Sequence, residues 1–261
     1  MTTTSSDISG PGVTGEGPRH TRQIMLREIG GPGQAKLRDA RVAVVGCGGL
    51  GGPAALNLAA AGVEYLSLFD DDMVEESNLQ RQIQFTEADI GAPKAEALAA
   101  RLRALDGGLS VAAHATRIGA DNADDLLSGH DVILDATDSF ASRFAVNAAS
   151  QALGLPLVSG AAAGWSAQVG VFGAEGSAPC YRCFVPEMPP AALDCETVGI
   201  VGAVVATAGS LMALEAIKLV TGAGEPLSGR LWIWDGLAAA SRVISVPRDP
   251  ACPHHGKRAD G

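Results

Sequence analysis

Residues 46–51 read Gly46-Cys47-Gly48-Gly49-Leu50-Gly51, between an apolar run at Arg41–Val45 and a helical pattern from Leu50 to Ala61 that Gly62 closes. A G-x-G-x-x-G run at a strand-to-helix junction limits the possible folds. Its glycines let the backbone approach a phosphate, and the helix N-terminus behind them attracts the negative charge. The next strand, Tyr65–Phe69, ends at Asp70, where a carboxylate can hold ribose hydroxyls. Alone this is a generic dinucleotide fingerprint, for which a nicotinamide enzyme is the default. A glycine turn that binds nothing fits the strand–turn–helix context less well.

The rest of the pattern agrees with this opening. Short helices are expected at Arg19–Gly30 and Gly33–Arg38, a helix at Lys94–Leu105 and helical stretches at Asp121–Ser128 and Ser142–Leu153. Strands are expected at Val111–Ala115, Val132–Ala136 and Leu157–Ser159, and later at Gln168–Phe172, Arg230–Trp234 and Arg242–Val246. Strands alternating with helices predict an α/β, Rossmann-like, mostly parallel sheet with helices on both faces. The C-terminal strands and a cysteine-rich loop follow it. Residues 1–18 read as a disordered tail and 19–256 as one domain, with a nucleotide-binding part at about 41–160 and the remainder at about 165–256.

Composition removes several classes. A formal charge of −10 disfavours a nucleic-acid surface, which needs excess Lys and Arg, and an anionic membrane surface. The first seventeen residues lack the basic and apolar regions of a signal peptide, so a cytoplasmic protein is expected. Val198 to Leu214 carries no charge, but its Gly, Ala, Ser and Thr content suits a buried, closely packed helix better than a membrane span. With 5 cysteines and no leader, metal or thiol chemistry is favoured over a disulfide framework.

Beyond Asp70 the chain departs from a dehydrogenase. Ser77-Asn78-Leu79-Gln80-Arg81-Gln82 is a polar loop, and Lys94 lies in the first turn of a helix, where a cation opposes the dipole. That placement makes sense if an anion sits there. A nicotinamide pyrophosphate needs little more than the helix N-terminus, whereas a triphosphate adds charge that Arg81 and Lys94 can offset. Ala136-Thr137-Asp138-Ser139 ends another strand at the edge where such sheets bind ligands, and Asp138 can hold Mg²⁺. Helix capping is the plainer role, better suited to Ser139 than to Asp138.

Cys180-Tyr181-Arg182-Cys183 and Cys252-Pro253-His254-His255 form two knuckles whose donors suit tetrahedral zinc, three thiolates and one imidazole, with His254 an alternative to His255.

At this point the chain resembles the ubiquitin-activating-enzyme-like adenylyltransferases of the molybdopterin- and thiamine-synthesis type, the ThiF/MoeB/HesA family. The segments that carry the resemblance are Arg19-His20-Thr21-Arg22-Gln23, the Gly46–Gly51 run, Asp70-Asp71-Asp72, Ser77 to Gln82, Lys94 and Ala136-Thr137-Asp138. Val158 to Ala162, Cys180 to Cys183 and Leu211 to Lys218 complete them, in the family's order. The resemblance implies a homodimer that binds ATP–Mg²⁺ and adenylates the C-terminal Gly-Gly of a small ubiquitin-like sulfur-carrier protein. It implies that Gly46, Gly48, Gly49, Gly51, Asp70, Asp72, Ser77, Asn78, Arg81, Gln82, Lys94, Asp138 and Ser139 line the nucleotide site, with Asp138 at Mg²⁺. Arg22 would reach the partner subunit's phosphates, and Cys195 stands at the reactive-cysteine position. Zn²⁺ would be held by Cys180, Cys183, Cys252 and His255. No rhodanese segment follows, so the sulfur donor, a rhodanese or a cysteine desulfurase, is expected to be a separate protein.

Three features depart from the family pattern. His255 replaces the usual last cysteine, Ser139 a common Asn, and Cys47 inside the glycine run is given a packing role. Three readings compete: adenylation of a small-molecule or RNA-borne carboxylate, a nicotinamide oxidoreductase, and an inactive carrier-docking scaffold. The scaffold is expected to lose Arg22, Arg81, Lys94 or Asp138, and all four are present.

Overall fold

The computed structural model describes residues 18–173, 178–188 and 199–254. The expected tail over residues 1–17, together with Cys195 and His255, lies outside them. The described chain builds one eight-stranded sheet in the order β3-β2-β1-β4-β5-β6-β7-β8. The strands are β1 (Arg41–Val45), β2 (Tyr65–Phe69), β3 (Ser110–His114), β4 (Val132–Asp135), β5 (Leu157–Ala163), β6 (Ser166–Phe172), β7 (Arg230–Asp235) and β8 (Ala240–Ser245). Neighbours from β3 through β5 are parallel, and those from β5 through β8 are antiparallel.

The helices are α1 (Thr21–Ile24), α2 (Gly30–Asp39), α3 (Gly51–Ala60), α4 (Lys94–Leu105), α5 (Ala123–Leu127), α6 (Phe140–Leu153), α7 (Tyr181–Phe184) and α8 (Gly202–Thr221). They cover the sheet on both sides because β1 and β4 are apolar on both faces. Val42 and Val44 point into a core with α3, α4 and α8, and Ala43 and Val45 into a second core with α5 and α6. Every parallel strand therefore ends at the same edge, and the glycine loop, Asp70 and Ala136–Asp138 follow β1, β2 and β4 there.

Two expectations need correction. Arg19–Gly30 is not one helix but a 3-10 turn at Pro18–His20 followed by α1, and Gly30 instead opens α2. The Gly30-Gly31-Pro32-Gly33 start of α2 hides it from propensity, since all four are glycine or proline, the weakest helix formers. β5 runs four residues past Ser159, because Ala161–Ala163 pair with Ser166–Gln168 across a tight turn at Gly164-Trp165. Gly164 takes φ +59 at the first turn position, as such a hairpin turn requires.

α8 is long and apolar enough, by length and composition, to cross a membrane. In the fold it lies on the sheet and the glycine loop, and small residues allow the approach. A Cβ on Gly209 would stand 2.3 Å from the Leu50 carbonyl oxygen, and one on Gly202 2.5 Å from that of Gln80. Gly160 of β5 likewise leaves room for Met212, where a Cβ would meet the sulfur at 2.3 Å.

Candidate nucleotide site and cysteine knuckle

The glycine loop is held by close backbone contacts. Gly46 adopts φ +91 and its N–H donates to the Phe69 carbonyl at 2.8 Å. A Cβ on Gly51 would stand 1.8 Å from the Gly46 carbonyl oxygen, so the turn tolerates nothing larger there. Gly49 faces Val205 of α8, and Gly48 faces the Gln82 amide. Gln84 donates through Nε2 to the carbonyls of Cys47 and Gly48 at 2.9 and 3.0 Å, fastening the loop from beneath. No sequence motif marks Gln84 for this role. Cys47 is fully buried, and burial pushes its thiol well above 9.0, which agrees with the packing role expected of it.

The two acids after β2 join this loop to α4. The Asp70 carboxylate accepts the Cys47 N–H at 2.6 Å and the Asp72 N–H at 2.9 Å. Asp72 in turn pairs with Lys94, Oδ2 to Nζ at 2.8 Å, and its carbonyl accepts the Lys94 N–H at 2.9 Å. The anion expected beside the Lys94 cation is thus supplied within the chain. Burial raises the Asp70 carboxyl above 3.8 in spite of its two N–H donors and nearby Lys94.

The polar loop lies alongside. Arg81 donates to the Ser77 carbonyl at 3.1 Å, and buried Asn78 to the Ser77 hydroxyl at 3.2 Å. Gln82 and Gln84 are buried, and the Oε1 of each has no hydrogen-bond partner among the described residues. Such orphaned carbonyls beside a glycine cradle suit a ligand that donates hydrogen bonds. Asp138 is exposed, one residue past a Thr137 whose backbone abuts Gly46. Ser139 is the N-cap residue of α6 but makes no side-chain cap bond.

Arg22 is not brought to this site. It is exposed on α1, whose neighbour Gln23 donates to Ala61 at the far end of α3. Ten helical residues, about 15 Å of axis, separate that end from the glycine loop.

A buried network beneath Thr137 went unnoticed in the sequence. Asp135 accepts the Thr137 N–H at 3.1 Å and its hydroxyl at 2.7 Å, and accepts the Ser159 hydroxyl at 3.1 Å. Arg143 of α6 lies 3.6 Å from Asp135 Oδ2 and donates to the Ser159 Oγ, the Thr137 carbonyl and the Gly160 carbonyl. A carboxylate closing the buried run Val132-Ile133-Leu134, with an arginine as the lone charge of α6, is the signal that could have revealed it.

A profile of the ThiF family matches residues 20–254. The chain belongs to the ThiF family. Two relatives share this length. The sulfur carrier protein adenylyltransferase of Thermus thermophilus is 43% identical over 90% of this chain and 89% of its own. The sulfur carrier protein ThiS adenylyltransferase of Escherichia coli is also 43% identical, over 90% of this chain and 93% of its own. The crystal structure of E. coli MccB with ATP superposes with a TM-score of 0.77 at 24% identity, covering 87% of this chain and 70% of that one, and shows the shared fold. As a ThiF-family member the chain is an adenylyltransferase.

In this ThiF-family chain the thiols of Cys180, Cys183 and Cys252 converge, their sulfurs all within 4.8 Å of one another. Cys180 and Cys252 Sγ are 3.5 Å apart, close to the ~3.8 Å edge that Zn–S bonds of about 2.3 Å impose on a tetrahedron. The donor set therefore fits zinc. Burial, and then the neighbouring Cys252 thiol, push the Cys180 thiol up to about 12, a cost that a bound dication would reverse. His254 is described but does not join the three sulfurs, and burial followed by Arg182 lowers its pKa.

Proposed function

We propose that this enzyme uses ATP to adenylate the C-terminal glycine carboxylate of a ubiquitin-like sulfur-carrier protein, releasing pyrophosphate and priming the carrier for thiocarboxylate formation. The observation that carries this reading is the continuous bonded path Cys47–Asp70–Asp72–Lys94. It ties a phosphate-cradling loop to a buried cation at a helix N-terminus. A nicotinamide pyrophosphate needs no such cation, whereas a triphosphate does.

The chemistry follows from charge. The carrier's carboxylate is already ionised at neutral pH, so its attack on the α-phosphorus needs no general base. The attack gathers negative charge, and pre-placed cations must stabilise it. Lys94 and Arg81 are the cations of this chain's loop. Asp70 would orient the ribose, and Asn78, Gln82, Ser77 and Ser139 would supply polar contacts. Asp138 would hold Mg²⁺, which neutralises phosphate oxygens when bound. Cys180, Cys183, Cys252 and His255 would hold zinc as a structural tie between the C-terminal segments. Cys195 would take the acyl group as a thioester, its thiolate displacing AMP from the acyl-adenylate. The carrier and a separate sulfur donor, rhodanese or cysteine desulfurase, would be its partners.

Arg22 supports a homodimer in this reading. It stands far from the loop of its own chain, so its contact with phosphate would come from a second copy. Exposed Leu214 on α8, with Met25 and Leu26 just after α1, offers apolar surface for that contact.

The test is ATP–pyrophosphate exchange with candidate carriers ending in Gly-Gly, comparing wild type with Asp138→Ala. Exchange that requires a carrier and disappears in the variant is the expected result. ATP binding with no exchange for any carrier would overturn the protein-carrier reading in favour of a small-molecule carboxylate or a scaffold.

A further inference from the structure

Asp138 is exposed, yet the residue before it is gripped on both sides. Asp135 takes the N–H and the hydroxyl of Thr137, and Arg143 takes its carbonyl. The same guanidinium reaches Ser159 at 3.1 Å and the Gly160 carbonyl at 2.8 Å on the next strand. The Tyr181 ring of the cysteine knuckle lies 5.9 Å from its centre, and the Tyr181 N–H is fixed by Asn147 at 2.7 Å. Both charges are out of water, with side chains 6% and 0% exposed.

A buried ion pair is a poor stabiliser compared with apolar groups of the same shape. What it adds here is direction. A planar fork that donates to three separate acceptors fixes the backbone at residue 137 in a way no point charge can. The first glycine of the phosphate loop rests on that backbone, since a Cβ on Gly46 would stand 2.7 Å from the Ala136 carbonyl oxygen and 3.2 Å from the Thr137 nitrogen.

We propose that Arg143 is a positioning residue: with Asp135 it clamps Thr137, and so aims the Asp138 carboxylate at the metal of a bound metal–nucleotide. The inference rests on the reading that Asp138 meets that metal. Arg143, with its side chain 6% exposed, would act through Thr137 rather than on substrate. The alternative is that it merely ties β4 to β5.

The test is a double-mutant cycle on binding rather than turnover. Calorimetry on the full chain measures the affinity of α,β-methylene ATP with Mn²⁺ and without metal, for wild type, Arg143→Lys, Asp138→Ala and the double variant. Arg143→Lys keeps the charge beside Asp135 and loses the fork, so it should fold. Arg143→Gln is the second variant. The expected result is an about tenfold loss of affinity for the Mn²⁺ complex, little change for the metal-free nucleotide, and no further loss once Asp138 is alanine. Equal losses with and without metal, or losses that add to those of Asp138→Ala, would overturn the proposal. Wild type that binds no Mn²⁺–nucleotide would overturn this inference and the proposed function together. Binding without carrier-dependent exchange would remove the carrier reading alone, and the cycle would still decide the role of Arg143.

Discussion

Lys94 and Asp72 meet at 2.8 Å with unequal surroundings, the lysine side chain 8% exposed and the aspartate 56%. The buried partner depends on the exposed one to compensate its charge. An anionic ligand that reaches the lysine can take over part of that role. Asp72→Asn should therefore cost the free protein no more than about 1 kcal/mol, since the carboxylate is half in water, and less with nucleotide bound. Thermal melts with and without an ATP analogue measure this. Lys94→Ala should lower pyrophosphate exchange by about 10²-fold or more, as loss of a preorganised cation does.

The glycine loop should discriminate between two alanine substitutions. Gly51→Ala drives a methyl into a backbone carbonyl and should destabilise by about 3 kcal/mol, with no side-chain change able to relieve it. Gly49→Ala meets Val205 Cγ1 at 2.6 Å, so Val205→Ala in the same chain should restore much of the loss. Chemical denaturation of the two single variants and the double variant checks both outcomes.

Mixed dimers test Arg22. Neither Arg22→Ala nor Lys94→Ala homodimers should support exchange, and co-expressed subunits should regain up to about a quarter to a half of it if the arginine acts across an interface. Confirmed heterodimers with no recovery would place its action within one chain.

Metal content should be one zinc per chain by plasma mass spectrometry. Chelation should lower the melting temperature by roughly 10 °C. Cys252→Ser should lose the metal, whereas His254→Ala should keep it, because the His254 imidazole stands outside the sulfur cluster.

Asp70 sets a pH dependence. Its folded-state pKa is raised above 3.8, chiefly by burial, so its contribution to the free fold is full below 3.8 and is lost as pH rises through the raised value. A ribose that donates to the ionised carboxylate acts in the opposite sense. Nucleotide-induced stabilisation should therefore grow with pH across that window, and Asp70→Asn should flatten the growth. Thermal shifts of both proteins over a pH series from 3.8 upward isolate the difference, since the nucleotide's own titration is common to both.

Legibility in the sequence followed from how locally each feature is encoded. The bounds of β1, β2 and α4 match expectation residue for residue, because apolar runs there meet glycine, aspartate or proline at their ends. The end of β5 was not legible: Ala161–Ala163 gain strand structure only by pairing with β6. Asp70 was legible by its distance from the glycines, and its carboxylate accepts a backbone N–H of that loop. Its link through Asp72 to Lys94 was not, since the two are 22 residues apart with no spacing rule between them. Asp135 and Arg143 lay hidden because each looks like a lone charge in an otherwise uncharged element. Cys180, Cys183 and Cys252 were each visible, but only the packing of the C-terminal segment against α7 brings their sulfurs together.

The seam between α8 and the phosphate loop has a mechanical consequence. At Gly209 the helix meets the Leu50 backbone with no side chain between, and at Gly49 the Val205 side chain alone fills the gap. Close-packed joints pass a push onward instead of absorbing it. A methyl added at Gly209 would therefore move the Leu50 backbone rather than a side chain.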